Sequence, residues 1–260
     1  MLVDLYYTTT SSLNNKAVTL SLIYFLFGIT AVKAQTSKTT SPDSIYIVKS
    51  RNYTYRAFVL PSALIITGAY LTVHDDIRYN VNEWRDENYS SFHTEIDNYL
   101  QFVPFAIVGV MELSEKNSYP VIHQRALHFI KTEVIMSVLT YTTKTLTKVE
   151  RPDGSANNSF PSGHTAQAFA AATFLYNEYG KSHSIWFTIG GYAAATATGV
   201  LRILNDKHWI SDVIAGAGVG ILSANLGCMD WHSKKRSNVT GMLVPQMSKD
   251  FKGACLLVRF

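Results

Sequence analysis

Five basic side chains with catalytic potential lie between residues 144 and 208, each close to the end of a predicted helix. Lys144, Arg151 and Arg202 are cations, and His164 and His208 are imidazoles. Guanidinium groups pair with the oxygens of a phosphate, and an ammonium group adds a point charge. One imidazole can attack phosphorus while a second carries a proton. These residue types predict a site that binds a phosphate and transfers a phosphoryl group.

The pair His208 and Asp212 is the clearest candidate for a nucleophile with an orienting partner. The two residues are four apart on a predicted helix, so their side chains share a face. A carboxylate that accepts from one imidazole nitrogen sets the tautomer and leaves the other nitrogen available for attack. On its own this spacing is also typical of a surface ion pair, and the neighbouring Arg202 is what favours catalysis.

The stretch Pro161-Ser162-Gly163-His164 predicts an anion site at a helix start. Proline suits the first helical turn, so the fourth predicted helix begins at Pro161. Backbone N–H groups of that turn point towards a bound anion, and Gly163 allows its close approach. The Ser162 hydroxyl is a further donor, and His164 is placed to exchange a proton with the leaving group.

The spacing of these clusters resembles the type 2 phosphatidic acid phosphatase superfamily, specifically its bacterial envelope lipid phosphatases. The family pattern has three parts, K-x6-RP, PSGH and SR-x5-H-x3-D, and the chain matches them in order at 144–152, 161–164 and 202–212. One position departs, because Leu201 stands where the family has serine. The resemblance covers roughly residues 57–227 and also extends to acid phosphatases and vanadium haloperoxidases.

This resemblance implies a function and a set of residue roles. The implied reaction hydrolyses a lipid phosphate, such as phosphatidic acid, undecaprenyl diphosphate or the phosphate of lipid A, through a phosphohistidine. His208 would be the nucleophile, Asp212 its orienting partner and His164 the acid–base group. No metal or cofactor is implied. The alternatives are a soluble acid phosphatase, a vanadium haloperoxidase and a non-catalytic membrane protein. The implied phosphate-binding residues are Lys144, Arg151, Ser162, Gly163 and Arg202.

Composition narrows the classes of protein to which the chain can belong. The chain is 47% hydrophobic and 16% charged, with a formal net charge of +4. This low charged fraction is unusual for a soluble protein, and the modest charge does not favour nucleic acid binding. The two cysteines, Cys228 and Cys255, lack metal-ligand spacing, and the sequence leaves their pairing open, with free thiols favoured.

Apolar runs predict an all-α bundle of about six core helices, with a short C-terminal hairpin. The third run, 126–141, contains Lys131 and Glu133, which are costly in lipid and favour a bundle that does not span the membrane. The acidic stretch 74–98 is interpreted as surface helices. The predicted divisions are a targeting segment or anchor (1–34), a flexible lead-in (35–56), the phosphatase domain (57–227) and a tail (228–260).

The N-terminus predicts export or anchoring in the cell envelope. Lys16 precedes an apolar run that ends in small residues near Ala34, as in a secretory signal with Gln35 as the mature start. If the helices span instead, the basic residues before the first run and after the sixth lie inside, which places the catalytic end in the periplasm. A cleaved signal conflicts with that six-span arrangement. Both interpretations place the active site outside the cytoplasm.

Overall fold

A computed structural model describes residues 55–114, 119–180, 182–229, 240–247 and 252–259 of the chain. The predicted targeting segment and the basic patch at 234–236 lie outside these residues. The described part contains eight helices and one antiparallel hairpin, which confirms the predicted all-α bundle and its terminal hairpin. The elements are α1 (Arg56–Val73), α2 (Asp75–Tyr89), α3 (Ile96–Leu100), α4 (Val103–Ser114), α5 (Tyr119–Thr147), α6 (Gly163–Tyr179), α7 (Ile185–Leu204), α8 (Ile210–Gly227), β1 (Thr240–Met247) and β2 (Lys252–Arg259).

Six of these helices, α1 and α4 to α8, form the bundle, and successive members run in opposite directions. At one end, the backbone N–H of Ser162 donates to the carbonyl oxygen of Asp212 (3.0 Å). At the other end, Nδ2 of Asn225 donates to the carbonyl oxygen of Ala57 (2.8 Å). The ends of α5 and α7 therefore meet the starts of α6 and α8. The predicted functional residues lie at this end, which we call the site end.

Helix boundaries differ from the sequence prediction at three of these ends. Helix α5 has 29 residues and extends to Thr147, so Lys144 lies in its last turn. Helix α6 begins at Gly163 rather than Pro161, because the Ser162 hydroxyl caps it by accepting from the Thr165 backbone N–H. Helix α8 begins at Ile210, since the Asp212 carboxylate accepts from the backbone N–H of the capping residue Trp209 (3.0 Å).

Helix α8 forms the centre of the bundle and packs against α1, α5 and α6. Two of its glycines permit the closest approach to α6. A Cβ atom at Gly216 would lie 2.6 Å from the carbonyl oxygen of Ser162, and one at Gly220 would lie 2.3 Å from that of Ala166. Such distances exclude any side chain larger than hydrogen without movement of the backbone. The core of the bundle is therefore built from small residues, with Ala166, Ala168 and Ala170 to Ala172 all fully buried on α6.

The outer surface of the bundle is apolar. Along α5, five side chains at helical spacing are 46–70% exposed: Leu127, Ile130, Val134, Val138 and Tyr141. The two charges that the sequence analysis weighed against a membrane are turned inward on the same helix. Lys131 Nζ donates to the carbonyl oxygen of Met229 (3.1 Å), and Glu133 accepts from Gln167 Nε2 (3.0 Å). These charges are therefore paired within the bundle.

Helices α2 and α3 cover the site end. Residues Ile77 and Trp84, which recur at helical spacing, are about half exposed, so this apolar pattern does not mark a buried face. A charged residue makes the contact with the bundle instead: Arg85 is 7% exposed, and its Nε donates to the carbonyl oxygen of Leu204 (3.0 Å). The acidic stretch thus forms surface helices, as predicted, and an arginine attaches α2 to the end of α7.

Candidate active site

His208 and Asp212 lie together in the interior of the site end. His208 is 2% exposed and Asp212 is fully buried. The Nδ1 atom of His208 lies 3.3 Å from Oδ2 of Asp212, in contact with the carboxylate. The same oxygen accepts from the backbone N–H of Trp209 (3.0 Å), which holds the carboxylate against the start of α8. The sequence predicted this pairing from a four-residue spacing on one helix, but His208 lies two residues before the start of α8, so the contact is made across the helix start.

Ser159 is a third member of this group that sequence reasoning missed. Its side chain is fully buried, and its hydroxyl donates to Oδ2 of Asp212. Its oxygen also lies 3.3 Å from Nδ1 of His208. Serine adds a hydroxyl donor that can turn towards either partner. Asp212 is thereby held from two sides, and the imidazole plane is restricted.

The loop after α5 carries Arg151 and is closed by hydrogen bonds to Lys144. Lys144 Nζ donates to the carbonyl oxygens of Asn158 and Ser159, the second at 3.2 Å. Arg151 Nε donates to Oδ1 of Asn158 (3.0 Å). Trp209 Nε1 donates to the carbonyl oxygen of Glu150 (2.8 Å), which attaches this loop beside His208. The first and third sequence clusters are therefore adjacent in space.

Arg202 lies in the last turn of α7 and is 7% exposed. One of its terminal nitrogens donates to Oδ2 of Asp97, which is 1% exposed, at 2.7 Å. Within the described residues, its Nε atom is buried and has no hydrogen-bond partner. A buried donor without an acceptor is costly, and a bound oxyanion would satisfy it. Asp97 was not predicted from the sequence.

The stretch Ser162 to His164 opens α6 at this site. Ser162 is fully buried, and its oxygen accepts from the hydroxyl of Thr165 (2.9 Å) as well as from its backbone N–H. An added Cβ at Gly163 would make only ordinary contacts, at 3.9 Å from Cγ2 of Thr140 and 4.0 Å from Cε of Lys144. His164 Nε2 donates to Oδ1 of Asn98 (3.0 Å), a residue of α3 that sequence reasoning also missed.

Burial and charge keep both imidazoles neutral at physiological pH. Burial lowers the pKa of His208 to about 4, although the hydrogen bond to Asp212 acts in the opposite direction. Burial lowers the pKa of His164 to about 3, and Arg202, His208, Arg151 and Lys144 add to this effect in that order. Because His208 and the cations all contribute to the shift of the His164 pKa, these groups share one electrostatic environment.

The cations also destabilise one another's charge. Burial lowers the pKa of Lys144 to about 8, and Arg151 and Arg202 contribute in the same direction. Cations that lower one another's pKa values in this way repel each other, and an anion bound between them would relieve that repulsion. The site end therefore combines a cluster of cations, a neutral buried imidazole and a helix start, and this arrangement suits a phosphate.

A group of possible metal ligands lies elsewhere in the described chain. The ligand atoms of His128, Glu178 and Cys228 fall within 4.8 Å of one another. His128 precedes Lys144 by sixteen residues on α5, which separates the two by about 24 Å along the helix. An ion bound there would not reach a phosphate at the site end.

Comparison with known proteins finds similarity to one family. Residues 127–237 match the model of the PAP2 superfamily. A lipid A 1-phosphatase of Porphyromonas gingivalis is 39% identical over 184 residues, which are 70% of this chain and 40% of that protein. A lipid A 4'-phosphatase of Helicobacter pylori is 28% identical over 62% of this chain and 79% of its own length. The crystal structure of Aquifex aeolicus LpxE has 21% identity and a TM-score of 0.43, covering 56% of this chain and 92% of that one.

The match includes every residue that the sequence analysis singled out, from Lys144 to Asp212. This match to the PAP2 superfamily model confirms the resemblance drawn from the three clusters. It spans about 40% of the length of the Porphyromonas relative, so the activity of that whole protein is not transferred with the family.

Proposed function

We propose that the protein is a phosphatase that hydrolyses the phosphate esters of lipids through a phosphohistidine at His208. The observation that carries this proposal is the junction of four helix ends, where a neutral buried imidazole held by Asp212 lies among Lys144, Arg151 and Arg202. Phosphoryl transfer depends mainly on positioning and on stabilising charge, and this site has groups for both.

In the first step, the Nε2 lone pair of His208 attacks phosphorus. An N–P bond forms, the bond from phosphorus to the ester oxygen breaks, and His164 protonates the departing alkoxide. In the second step, water attacks phosphorus, His164 takes its proton and the N–P bond breaks. Inorganic phosphate is then released, and both imidazoles return to their starting state.

The bound phosphate itself supplies the reason why His164 can act as an acid. In the free site the surrounding cations oppose its protonation, and its pKa is about 3. A phosphate dianion between Arg202 and Lys144 replaces that repulsion with attraction, which raises the pKa of His164. Ser162 supports binding as well, because its oxygen only accepts from Thr165 and its own proton is left to donate to the anion.

A membrane lipid is the substrate class that the surface supports. Helices α1, α7 and α8 are long and apolar enough to cross a membrane. The exposed apolar stripe of α5 ends at Tyr141, and Lys144 lies one turn beyond it, so the reacting groups would lie at the membrane surface. The similarity to two lipid A phosphatases favours a phosphorylated lipid of that type. The exposed apolar side chains of these helices form an apolar belt around the bundle, which argues against the soluble acid phosphatase.

Localisation follows from the sequence charges and the site end together. Arg56 and Arg125 lie near the starts of α1 and α5, at the end opposite the site, and the sequence carries further basic residues at Lys116, before α5, and at 234–236, after α8. The positive-inside tendency assigns such a basic end to the cytoplasm. The site end would then face the periplasm. Lys131 and Glu133 each hydrogen-bond to a neutral group inside the bundle, which weakens the objection to spanning helices, and we favour this arrangement with an uncleaved N-terminus.

The test of the reaction uses the full chain in detergent micelles with phosphatidic acid, lipid A and undecaprenyl diphosphate as separate substrates. Phosphate release should persist in a metal chelator and be inhibited by vanadate. His208→Asn should lower kcat by about 10⁴-fold or more, whereas His74→Asn, on the exposed end of α1, should leave it unchanged.

Acid-labile phosphohistidine should be trapped from labelled substrate in the wild type and be absent from His208→Asn. Turnover that requires a divalent metal and survives in His208→Asn would disprove the mechanism. Turnover of water-soluble monoesters alone, with none of the three lipids accepted, would disprove the substrate class and leave the mechanism intact.

A further inference from the structure

Asp97 is a buried carboxylate outside all three sequence clusters. It lies on the short helix α3 and is 1% exposed. Both of its oxygens are engaged: Oδ2 accepts from Arg202 (2.7 Å) and Oδ1 accepts from Nδ2 of Asn205 (3.0 Å). A buried charge is retained only where partners compensate its loss of water, and here one partner is the arginine proposed to bind phosphate.

Asn205 fixes this carboxylate to the end of α7. It is the C-terminal cap of α7 and is 6% exposed. Its Oδ1 accepts from the backbone N–H of Thr94 (2.9 Å), and its Nδ2 donates to the carbonyl oxygen of Thr94 (2.8 Å). Asp97 therefore contacts Arg202 from a segment that is itself tied to the helix carrying Arg202. The contact does not depend on a mobile loop.

The contact constrains how the guanidinium is presented. The planar fork of arginine has five N–H donors in fixed directions, so a bond from one terminal nitrogen to Asp97 sets the plane of the whole group. The Nε atom of Arg202 is left buried and without a partner in the described structure. Transition-state stabilisation is sensitive to the placement of such donors, and a displacement of about 1 Å can cost about 100-fold in rate.

We propose that Asp97 is a positioning residue, which holds the Arg202 guanidinium so that its free donors meet the transferring phosphoryl group. This inference rests on the proposed phosphatase function. The neighbouring Asn98 accepts from His164 (3.0 Å), so α3 contacts both the proposed phosphate-binding arginine and the proposed acid. Substrate binding to Arg202 and orientation of His164 thus share one short helix.

Two other roles for Asp97 predict different effects when the carboxylate is removed. If the carboxylate only neutralised excess positive charge, its removal would strengthen anion binding, because the net charge of the site would rise by one. If it only held the fold together, its removal would lower the melting temperature without selectively lowering kcat. A positioning role predicts lower kcat and weaker binding of vanadate, which resembles the pentavalent transition state.

The test is a double-mutant cycle between Asp97→Asn and Arg202→Ala in the full chain. Asp97→Asn should lower kcat by about 10–100-fold and raise the inhibition constant of vanadate by a similar factor, with a smaller change in KM. Once Arg202 is alanine, adding Asp97→Asn should change kcat less than threefold, because Asp97 acts through that arginine. Glu95→Gln is the matched control, since Glu95 is exposed on the same segment, and it should behave as the wild type.

Additive losses in the cycle, or tighter vanadate binding in Asp97→Asn, would overturn the proposal. If Asp97→Asn does not fold, Asn205→Ala loosens the same carboxylate without leaving Arg202 unpaired, and the same non-additivity with Arg202→Ala is expected. If the wild type releases no phosphate from any lipid, the proposed function fails. Calorimetry of vanadate binding to the four proteins of the cycle then tests the positioning role separately. A coupling energy near zero between Asp97 and Arg202 would overturn that role.

Discussion

The reactivity proposed for His208 depends on a balance between burial and one carboxylate. Burial lowers its pKa to about 4, so at neutral pH the ring is uncharged and has a lone pair for attack. Asp212 acts against this shift and would stabilise the charge that develops as the N–P bond forms. Ser159 holds Asp212 in place and lies close to the same ring nitrogen. A small group of residues thus sets both tautomer and orientation.

Lys144 provides a prediction about pH. Its pKa is lowered to about 8, so its charge is complete below that pH and is lost as pH rises through 8. A phosphate monoester has a second pKa of about 6 and remains a dianion over this range. In the wild type, kcat/KM should therefore fall by up to about tenfold per pH unit above 8. Initial rates between pH 7 and 9.5 measure this fall.

The matched pair of variants is Lys144→Met and Lys148→Met. Lys148 is an exposed lysine just after the end of α5. Lys144→Met should be slower at pH 7 and lack the decline above pH 8, whereas Lys148→Met should keep the profile of the wild type. A decline that persists in Lys144→Met would assign this pH dependence to another group.

At the scale of elements, close packing is concentrated on α8 rather than α7. By composition, the glycines and alanines of α7 also suit close helix packing. In the structure Gly191, Ala195 and Gly199 are buried, but Gly190 and Ala197 are exposed. The α8 glycines are those that meet a neighbouring backbone. The difference arises because α7 packs on one face only, while α8 is surrounded.

Gly220→Ala and Gly190→Ala should therefore change stability in opposite directions. A Cβ at Gly220 would lie 2.3 Å from the Ala166 carbonyl oxygen, so alanine there should lower the free energy of unfolding by about 1–3 kcal/mol. Nothing lies within 4 Å of a Cβ at Gly190, and alanine there should raise helix stability by about 0.5–1 kcal/mol. Thermal unfolding in detergent compares the two, and equal effects would contradict the central position of α8.

At the scale of the whole molecule, the site end adjoins an apolar belt, and an enzyme that acts at a membrane surface requires this arrangement. The belt carries exposed side chains on several helices, including Val59, Ile66, Trp186 and Phe187, while the polar network of the site is confined to one end. Lys131 and Glu133, which lie within the bundle, hydrogen-bond to Met229 and Gln167 of the bundle. The whole structure therefore favours helices embedded in lipid with the site at one surface.

Sidedness is tested with single cysteines at opposite ends. Ser155 is exposed in the loop after α5, and Ser182 is exposed between α6 and α7. In a background with Cys255→Ser, Ser155→Cys should react with a membrane-impermeant maleimide in intact cells, whereas Ser182→Cys should react only after lysis. Buried Cys228 should react slowly in both. The protein should stay in the pellet after carbonate extraction, with its N-terminus intact.

The reverse labelling pattern would place the site in the cytoplasm and contradict the proposed topology. A mature N-terminus at Gln35 in a carbonate-soluble fraction would instead support a secreted bundle. Labelling of both positions in intact cells would show that neither end is protected by the membrane.

The sequence alone predicted the candidate site residues and the helical class, because both predictions depend on local patterns. The four-residue separation of His208 and Asp212, the helix start at 161–164 and the apolar periods are all readable along the chain. Helix ends were less accurate, as at Gly163, because side-chain caps and hydrogen bonds to distant residues decide where a helix begins. The hydrogen bonds that Lys131 and Glu133 make inside the bundle could not be predicted from hydropathy.

Only the tertiary structure showed how the site is supported. Asp97 meets Arg202 across 105 residues, and Ser159 meets Asp212 across 53, with no repeat or spacing that links either pair. The same applies to Asn98 and His164, which are 66 residues apart. A contact of this kind exists because the bundle brings helix ends together, and a single polar residue in a loop or a one-turn helix carries no periodic signal along the sequence. The candidate site residues could thus be predicted from local spacing, whereas packing of the helix ends decides how they are oriented.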